Sequence, residues 1–499
     1  MPYSRAPEMV AAVDLGSNSF HLVVARVADG RVQMMDRIRE MVRLGAGLDA
    51  SKRLTAEAQS AALACLERFG QRLRDMPQGS VRVVGTNTLR SARNAEEFLA
   101  RAEPVLGHPI DIISGVEEAR LIYQGVAHTS ADDGQRRLVV DIGGGSTEFA
   151  IGQGYEVFDT ESLYLGCVSM SQRFFSDGSI SSRGLRNAVI AAQLEIRPTV
   201  QRLSRQGWSK IIGTSGTILA VAEVLREKAW CEQGIERNGL MLLREHLLKA
   251  GHVERMEFGA LPEKRRPVFP GGFAILLAAF ECLGIESMTH SEGALREGLI
   301  YDLLGRIEHE DIRQYTVAAM ARRCHVDEAQ AARVKQTALA LLSELATGWS
   351  LHNEELSNAL GWAAQLHEVG LSVAHSQYHK HGAYLLEHSD LPGFTRQEQR
   401  LIATLVRGHR RKFPTAAFAA LPASERLPAQ QLCLILRLAV RLHRARSERP
   451  LPEIHVSAKR KVIALTFPSG WLDENPLTRE ELKEEAAFLR NSAWRLKIG

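Results

Sequence analysis

Two aspartates each stand at the end of an apolar run and are followed by glycine and hydroxyl residues. The fuller case is Val139-Val140-Asp141-Ile142-Gly143-Gly144-Gly145-Ser146-Thr147-Glu148. A strand that ends in a carboxylate and turns through glycines can bring backbone N–H groups close to an anion, because glycine takes φ > 0 at no steric cost. Ser146 and Thr147 add hydroxyl donors, and Asp141 stands where it can hold a cation beside a phosphate. Phe149-Ala150-Ile151 reads as the returning strand of a hairpin. Taken alone, the stretch is equally compatible with an ordinary glycine-rich turn.

The same device opens the chain. Met9 to Val13 is apolar, Asp14 ends the run, and Gly16, Ser17, Asn18 and Ser19 follow before a return strand over Phe20 to Val27. Two hairpins of one design, about one small α/β domain apart, point to an internal duplication with a cleft between the copies. His21 falls on the return strand, where core packing is its expected role. A third turn, Gly213-Thr214-Ser215-Gly216, follows the strand Lys210 to Ile212 and opens a helix running to Glu227, so its first N–H groups face the cleft.

Three further groups suit an anion site. Val81 to Gly85 leads into Thr86 to Arg93, which opens a helix, and Arg90 and Arg93 on or near its first turns can clamp phosphate bidentately. Arg93 also fits a solvated helix face, as does Arg43 in its loop. Arg265 and Arg266, in a basic triplet with Lys264, precede the apolar stretch Gly271 to Leu283 and are read as cleft or solvated residues. Ser114 and Glu117 match a capping box, which gives Glu117 a structural duty. Glu118 then points about 100° away around the helix and is free to orient and deprotonate a water.

The elements that must carry these residues follow from pattern. Thr55 to Arg74 reads as an amphipathic helix with Ala58, Ala61, Ala62, Cys65, Leu66, Phe69 and Leu73 on one face. Of the 499 residues, 45% are hydrophobic and 24% charged, as in a globular protein of three or four domains. The net charge of +4 does not demand nucleic acid, and no aromatic-interleaved basic motif supports it. Six scattered cysteines without a C-x-x-C fit reduced thiols, hence a cytoplasmic place, with or without peripheral attachment to a membrane. No signal peptide is read in Met1 to Glu8, and Gly271 to Leu283 is too short to span a bilayer.

Ala12 to Phe20, Ser114 to Arg120, Asp141 to Glu148, Gly213 to Thr217 and Leu295-Arg296-Glu297-Gly298 occur in order. Together they resemble the exopolyphosphatase / guanosine pentaphosphate phosphohydrolase family, within the actin, sugar-kinase and heat-shock ATPase superfamily. Leu366 to Gly370 and Ser389 to Phe394 extend the likeness to the long, four-domain bacterial exopolyphosphatases. The resemblance implies two actin-like (ribonuclease H-like) α/β domains, at 1–124 and 125–305. It implies release of orthophosphate from chain ends of inorganic polyphosphate, with Mg²⁺ and with K⁺ as an activator. Glu118 would be the base for the attacking water. Asp14, Asp141 and Glu148 would hold or orient the metal, and the glycine-hydroxyl loops would hold phosphates. A guanosine pentaphosphate 5′-phosphohydrolase on the same scaffold is the nearest rival. A non-catalytic polyphosphate or nucleotide sensor is the rival of another class, disfavoured because a sensor needs no base.

The second half is helical: Ile312 to Cys324, Glu328 to Thr347 and Asn353 to His367. Its clustered histidines resemble an HD-type phosphohydrolase domain, expected over 306–445. The metal motif of that type needs His-Asp, and this chain has His367-Glu368, so a domain without its own catalytic metal is expected. A small α+β tail is expected over 446–499. The basic runs containing Arg410, Arg411, Lys412 and Lys459, Arg460, Lys461 are solvated faces or, on a polyanion, guides remote from the site. A homodimer is expected only on the general frequency of two-fold assemblies.

Overall fold

Met9–Leu15 forms strand β1, whose residues Val10 to Val13 are all buried, so both faces of the strand are covered. This explains a continuous apolar run where a one-sided strand would alternate. The computed structural model describes residues 7–28, 31–77, 79–130, 134–232, 234–307, 311–490 and 492–499. They fall into two units, Met1–Asp311 and Ile312–Gly499.

In the first unit, β1 joins β2 (Phe20–Ala28), β3 (Arg31–Glu40), β4 (Val81–Gly85) and β5 (Asp111–Ile112) in the order β3-β2-β1-β4-β5. The second sheet holds β6 (Arg136–Ile142), β7 (Thr147–Gln153), β8 (Glu156–Leu163), β9 (Lys210–Thr214), β10 (Ile235–Glu236) and β11 (Ser287–His290), ordered β10-β11-β9-β6-β7-β8. The duplication is explicit in the pairing. β1 is antiparallel to β2 and parallel to β4, as β6 is antiparallel to β7 and parallel to β9. Asp14 pairs with His21 as Asp141 pairs with Glu148.

The helices of this unit are α1 (Ala56–Leu73), α2 (Asn87–Ser91), α3 (Ala95–Leu106), α4 (Gly115–Thr129), α5 (Cys167–Phe174), α6 (Ser182–Gln206), α7 (Ser215–Glu227), α8 (Arg237–Ala250), α9 (Phe269–Leu283) and α10 (Leu295–Ile307). Helix α1 forms as the apolar spacing predicts; the Thr55 side chain caps it by accepting from the Ala58 N–H at 3.3 Å. Ala62, Leu66 and Phe69 pack with Phe98 of α3 against Ala11 and Val13. The segment Glu263–Leu283 is long and apolar enough to cross a membrane by length and composition, yet Phe269 to Phe280 are all buried in the core of the second sheet.

Two helices exchange places between the copies. Helix α4, from the first copy in chain order, packs on β6, β7 and β8, whereas α10, at the end of the second copy, packs on β1, β2 and β4. They cross at backbone contact. A Cβ on Gly125 would lie 1.9 Å from the Ala294 carbonyl oxygen, and one on Gly298 would lie 1.8 Å from that of Leu121. Leu121, Ile122 and Val126 of α4 meet Leu299 and Ile300 of α10 in one core, with Val10 and Ala12 below and Val139 and Ile212 above. This is the duplicated actin-like architecture.

The second unit has helices α11 (Ile312–Arg323), α12 (Glu328–Trp349), α13 (Glu354–Leu366), α14 (Tyr378–His388), α15 (Arg396–Gly408), α16 (Thr415–Ala419), α17 (Ala423–Leu442), α18 (Trp471–Glu474) and α19 (Pro476–Leu489). Strands β12 (His455–Lys459), β13 (Val462–Thr466) and β14 (Arg495–Ile498) form a small sheet. The expected tail is therefore α+β, but its core is shared with the helices. Val456, Ile463, Leu482 and Trp494 lie in one cluster with Leu342, Leu432 and Leu436. Arg437 of α17 and Glu485 of α19 form a fully buried ion pair across that junction. A buried pair of this kind is costly to break from one side only, by about 3–5 kcal/mol.

Candidate active site

The glycine-hydroxyl loops of the two copies face one another at van der Waals distance. An added Cβ on Gly144 would lie 3.2 Å from the Asn18 Cβ, and one on Gly145 would lie 3.0 Å from Ser17 Oγ and 2.8 Å from Asn87 Oδ1. Glycine is needed here because no side chain fits between the loops. Their backbones are pinned from outside: the carbonyls of Gly143 and Gly144 accept from the Cys167 and Val168 N–H groups at 2.9 Å, and that of Ser17 accepts from the Gly45 N–H at 2.7 Å.

Between the loops lies a cavity of about 200 Å³. It collects Asp14, Ser17, Asn18, Ser19, Glu118, Asp141, Gly143, Gly144, Gly145, Ser146, Thr214, Ser215, Gly216 and Arg265, all singled out by the sequence. Ser215 opens α7 with φ at +85°, a left-handed conformation that a non-glycine residue adopts at a cost of order 1–3 kcal/mol. The Arg265 guanidinium packs on Gly216 so closely that any Cβ there would lie 1.6 Å from its Nη2.

Several expected residues have other duties. Arg90 does not line the cavity: its Nη1 donates to the Ile113 carbonyl at 2.9 Å and to Glu118 Oε2 at 3.2 Å. It holds Glu118. Arg93 is exposed and outside the cavity, because the helix that opens in this stretch already stops at Ser91, where the Ala92 N–H closes on the Thr88 carbonyl. Gly213 lies within β9, where Ile218 and Met288 leave no room for a Cβ, so packing accounts for it. The hydroxyls of Thr147, Thr214 and Ser215 donate to the carbonyls of Leu165, Gly293 and Ile142. Each hydroxyl has a single proton, so in this arrangement these three fasten the loops. Glu148 lies behind the cavity wall, where the Ser162 hydroxyl donates to it at 2.9 Å. Arg266 also lies outside the cavity. Arg410 is stacked on Tyr378; Arg411 and Lys412 are exposed; and Lys459, Arg460 and Lys461 are exposed where β12 turns into β13, all in the second unit.

Three contributors had no site role in the sequence reading. His21 is no core histidine: it lines the cavity, with Nε2 2.8 Å from Ser19 Oγ and Nδ1 2.8 Å from Arg296 Nη1. Arg39 and Arg296 line it too. A signal for His21 was available, since Asp14 and His21 have the same seven-residue spacing as Asp141 and Glu148.

The electrostatics are those of a receptor for an anion and a cation together. Burial first, and the charge of Glu118 next, push Asp14 up to about 8 and Asp141 up to about 7. Burial raises Glu118 as well, with Arg90 opposing, and lifts Glu148 well above the carboxylate range. Opposite them, burial and the neighbouring Arg265 and Arg296 pull Arg39 down to about 10. Burial and Arg296 drive His21 far below its ordinary value, so it stays neutral. Asp14 Oδ1 is buried without a hydrogen-bond partner among the described residues. Hard carboxylate oxygens, one of them orphaned, fit Mg²⁺, which takes one or two protein carboxylates and completes its shell with water and substrate phosphate. Asp14 and Asp141, both on the cavity wall, would be the residues to hold it. Among the described residues, no three His, Cys, Asp or Glu side chains converge into a protein-only metal cage.

The profile of the Ppx/GppA phosphatase family matches residues 23–307, and that of Ppx/GppA phosphatase domain III matches residues 312–486. The chain belongs to the Ppx/GppA phosphatase family. Among Ppx/GppA relatives, a guanosine-5′-triphosphate,3′-diphosphate pyrophosphatase of Vibrio cholerae is 41% identical over 501 residues, covering 100% of this chain and 99% of its own. A protein of the same name from Aliivibrio fischeri is 40% identical over 498 residues, again covering 100% and 99%. The solved Aquifex aeolicus PPX-GPPA enzyme superposes with a TM-score of 0.50 at 26% identity, covering 58% of this chain and 98% of its own. An exopolyphosphatase from Cytophaga hutchinsonii, at 23% identity and a TM-score of 0.54, covers 60% of this chain and 98% of its own and shares the fold.

Proposed function

We propose that this phosphatase removes the terminal 5′-phosphate of guanosine pentaphosphate, the alternative reading of the sequence rather than its first one. The observation that carries the reaction is the cavity in which Glu118, Asp14 and Asp141 face Arg39, Arg265 and Arg296. The choice of substrate is supported by full-length relatives at 41% and 40% identity that bear the name of a guanosine-5′-triphosphate,3′-diphosphate pyrophosphatase.

Glu118 accepts a proton from water as the water oxygen bonds to the terminal phosphorus. The bond from that phosphorus to the bridging oxygen breaks, giving orthophosphate and guanosine tetraphosphate. The transition state of such a transfer is loose, so it needs charge neutralisation and an in-line water more than covalent chemistry. Arg39, Arg265 and Arg296 neutralise the phosphate oxygens. Arg90 orients the base. Asp14 and Asp141 would hold Mg²⁺, which would supply further neutralisation of the phosphate charge, and K⁺ as an activator belongs to the same proposal. Mixing the protein with guanosine pentaphosphate and Mg²⁺ should give orthophosphate and guanosine tetraphosphate in equal amounts. Absence of both products sinks the proposal.

Hydrolysis of inorganic polyphosphate is the second reading, favoured by the exposed basic runs at Arg411-Lys412 and Lys459-Arg460-Lys461. A homodimer in the cytoplasm belongs to the same proposal, and light scattering in solution checks the assembly.

A further inference from the structure

The catalytic cavity is too small for its proposed substrate. Sites that enclose a nucleotide-sized ligand run to about 300–1,000 Å³, whereas this one measures about 200 Å³. It has room for the terminal phosphates. A second cavity, of about 680 Å³, adjoins it and shares Leu219, Glu292 and Arg296 as a common wall. Its sides are Arg37 on β3 and Arg226 on α7. The Arg226 side chain has no ion-pair or hydrogen-bond partner among the described residues. Arg37 lies 3.3 Å from Glu297 and 3.7 Å from Glu292, and is still half-exposed toward the cavity.

We infer that this second cavity is the subsite for the nucleoside 3′-diphosphate end of the substrate, with Arg226 and Arg37 as its phosphate contacts. The inference rests on the guanosine pentaphosphate reading and adds the residues that set its specificity. Glu223 and Glu232 line the same space. They repel an unbroken polyphosphate chain, yet they can accept from the N1–H and 2-amino groups of guanine. A cavity with fixed cations and fixed carboxylates therefore suits a ligand that carries phosphate at one end and N–H donors at the other.

The test compares wild type with Arg226→Ala and Arg226→Glu on guanosine pentaphosphate and on GTP, which lacks the 3′-diphosphate. Titration with guanosine tetraphosphate follows binding without turnover. Arg226→Ala should raise KM for the pentaphosphate and weaken tetraphosphate binding by about tenfold, equivalent to about 1.4 kcal/mol, and Arg226→Glu should weaken both further. The preference for pentaphosphate over GTP should fall by the same factor. Equal losses on both nucleotides, or unchanged tetraphosphate affinity, would overturn the subsite. If wild type releases no phosphate from the pentaphosphate, the proposed function fails, and the tetraphosphate titration still decides the cavity.

Discussion

Glu117 and Glu118 are neighbours in sequence with separate duties. The Ser114 hydroxyl caps the helix by accepting from the Glu117 N–H at 3.1 Å, which is the serine half of the expected capping box. The Glu117 carboxylate takes Arg120 in a fork, with both contacts at 2.8 Å. Glu118, one residue on, reaches the cavity. Glu118→Gln should lose about two to four orders of magnitude in turnover while remaining folded. Glu117→Gln should keep much of its turnover but lose about 1.5–3 kcal/mol of stability, because Arg120 would keep Asp302 as its carboxylate partner and lose the fork. Phosphate-release assays and denaturant unfolding on the two variants check the assignment; the reverse pattern would overturn it. Most cavity residues were legible because glycine, aspartate and hydroxyls at strand ends advertise their backbone geometry. Arg39 was not, since a lone arginine carries no signal of which way its long side chain turns, and Arg296 stood in a quoted motif without a role. Arg90 was legible as a functional arginine, but its partner was not, because Glu118 comes to it through the fold.

At the scale of elements, the crossing of α4 and α10 couples the copies. Gly125→Ala or Gly298→Ala would place a methyl inside a backbone contact. Overpacking of this kind should cost about 1–3 kcal/mol and, by shifting the helix that carries Glu118, lower turnover as well. Thermal unfolding together with phosphate release measures both effects; a variant with unchanged melting would contradict the crossing. The same helices are joined by Arg120, which bonds Asp302 of α10, with Arg306 2.9 Å from Asp302 on its other side. Burial alone would raise Asp302, but Arg306 and Arg120 outweigh it and hold the carboxyl well below the usual carboxylate range. A depressed pKa contributes stability above the unfolded value, near 3.9, that is lost as pH falls through the folded value. Wild type should thus lose stability between about pH 5 and pH 2 more steeply than Asp302→Asn, which is weaker at neutral pH but has no carboxylate to protonate; parallel curves would contradict this. The strands around Asp14 and Asp141 were legible from apolar runs and turns. The exchange of α4 and α10 was not, because an apolar helix face does not name the sheet it covers. The edge strand β3 escaped for a related reason: its charged, half-exposed residues dilute the pattern.

At the scale of the molecule, two units with separate cores share one chain. The first holds the candidate catalytic cavity; the second carries the exposed basic runs. Replacing Arg411, Lys412, Lys459, Arg460 and Lys461 with glutamine should leave guanosine pentaphosphate hydrolysis nearly unchanged and weaken association with long polyphosphate in a salt-dependent way. Equal loss on both substrates would count against separate duties for these runs. The helical character of the second half was legible from periodicity. The shared core of its tail was not, since the prolines at 450 and 452 mark a turn whether or not a domain ends there. The most direct test of the account is a side-by-side measurement of kcat/KM for phosphate release from guanosine pentaphosphate and from long-chain polyphosphate, per chain end, in wild type and Glu118→Gln. The account predicts a preference for the pentaphosphate of at least about tenfold in wild type, with both activities collapsing in Glu118→Gln. Polyphosphate cleaved as efficiently as the pentaphosphate, or a Glu118→Gln variant that still turns over, would contradict it.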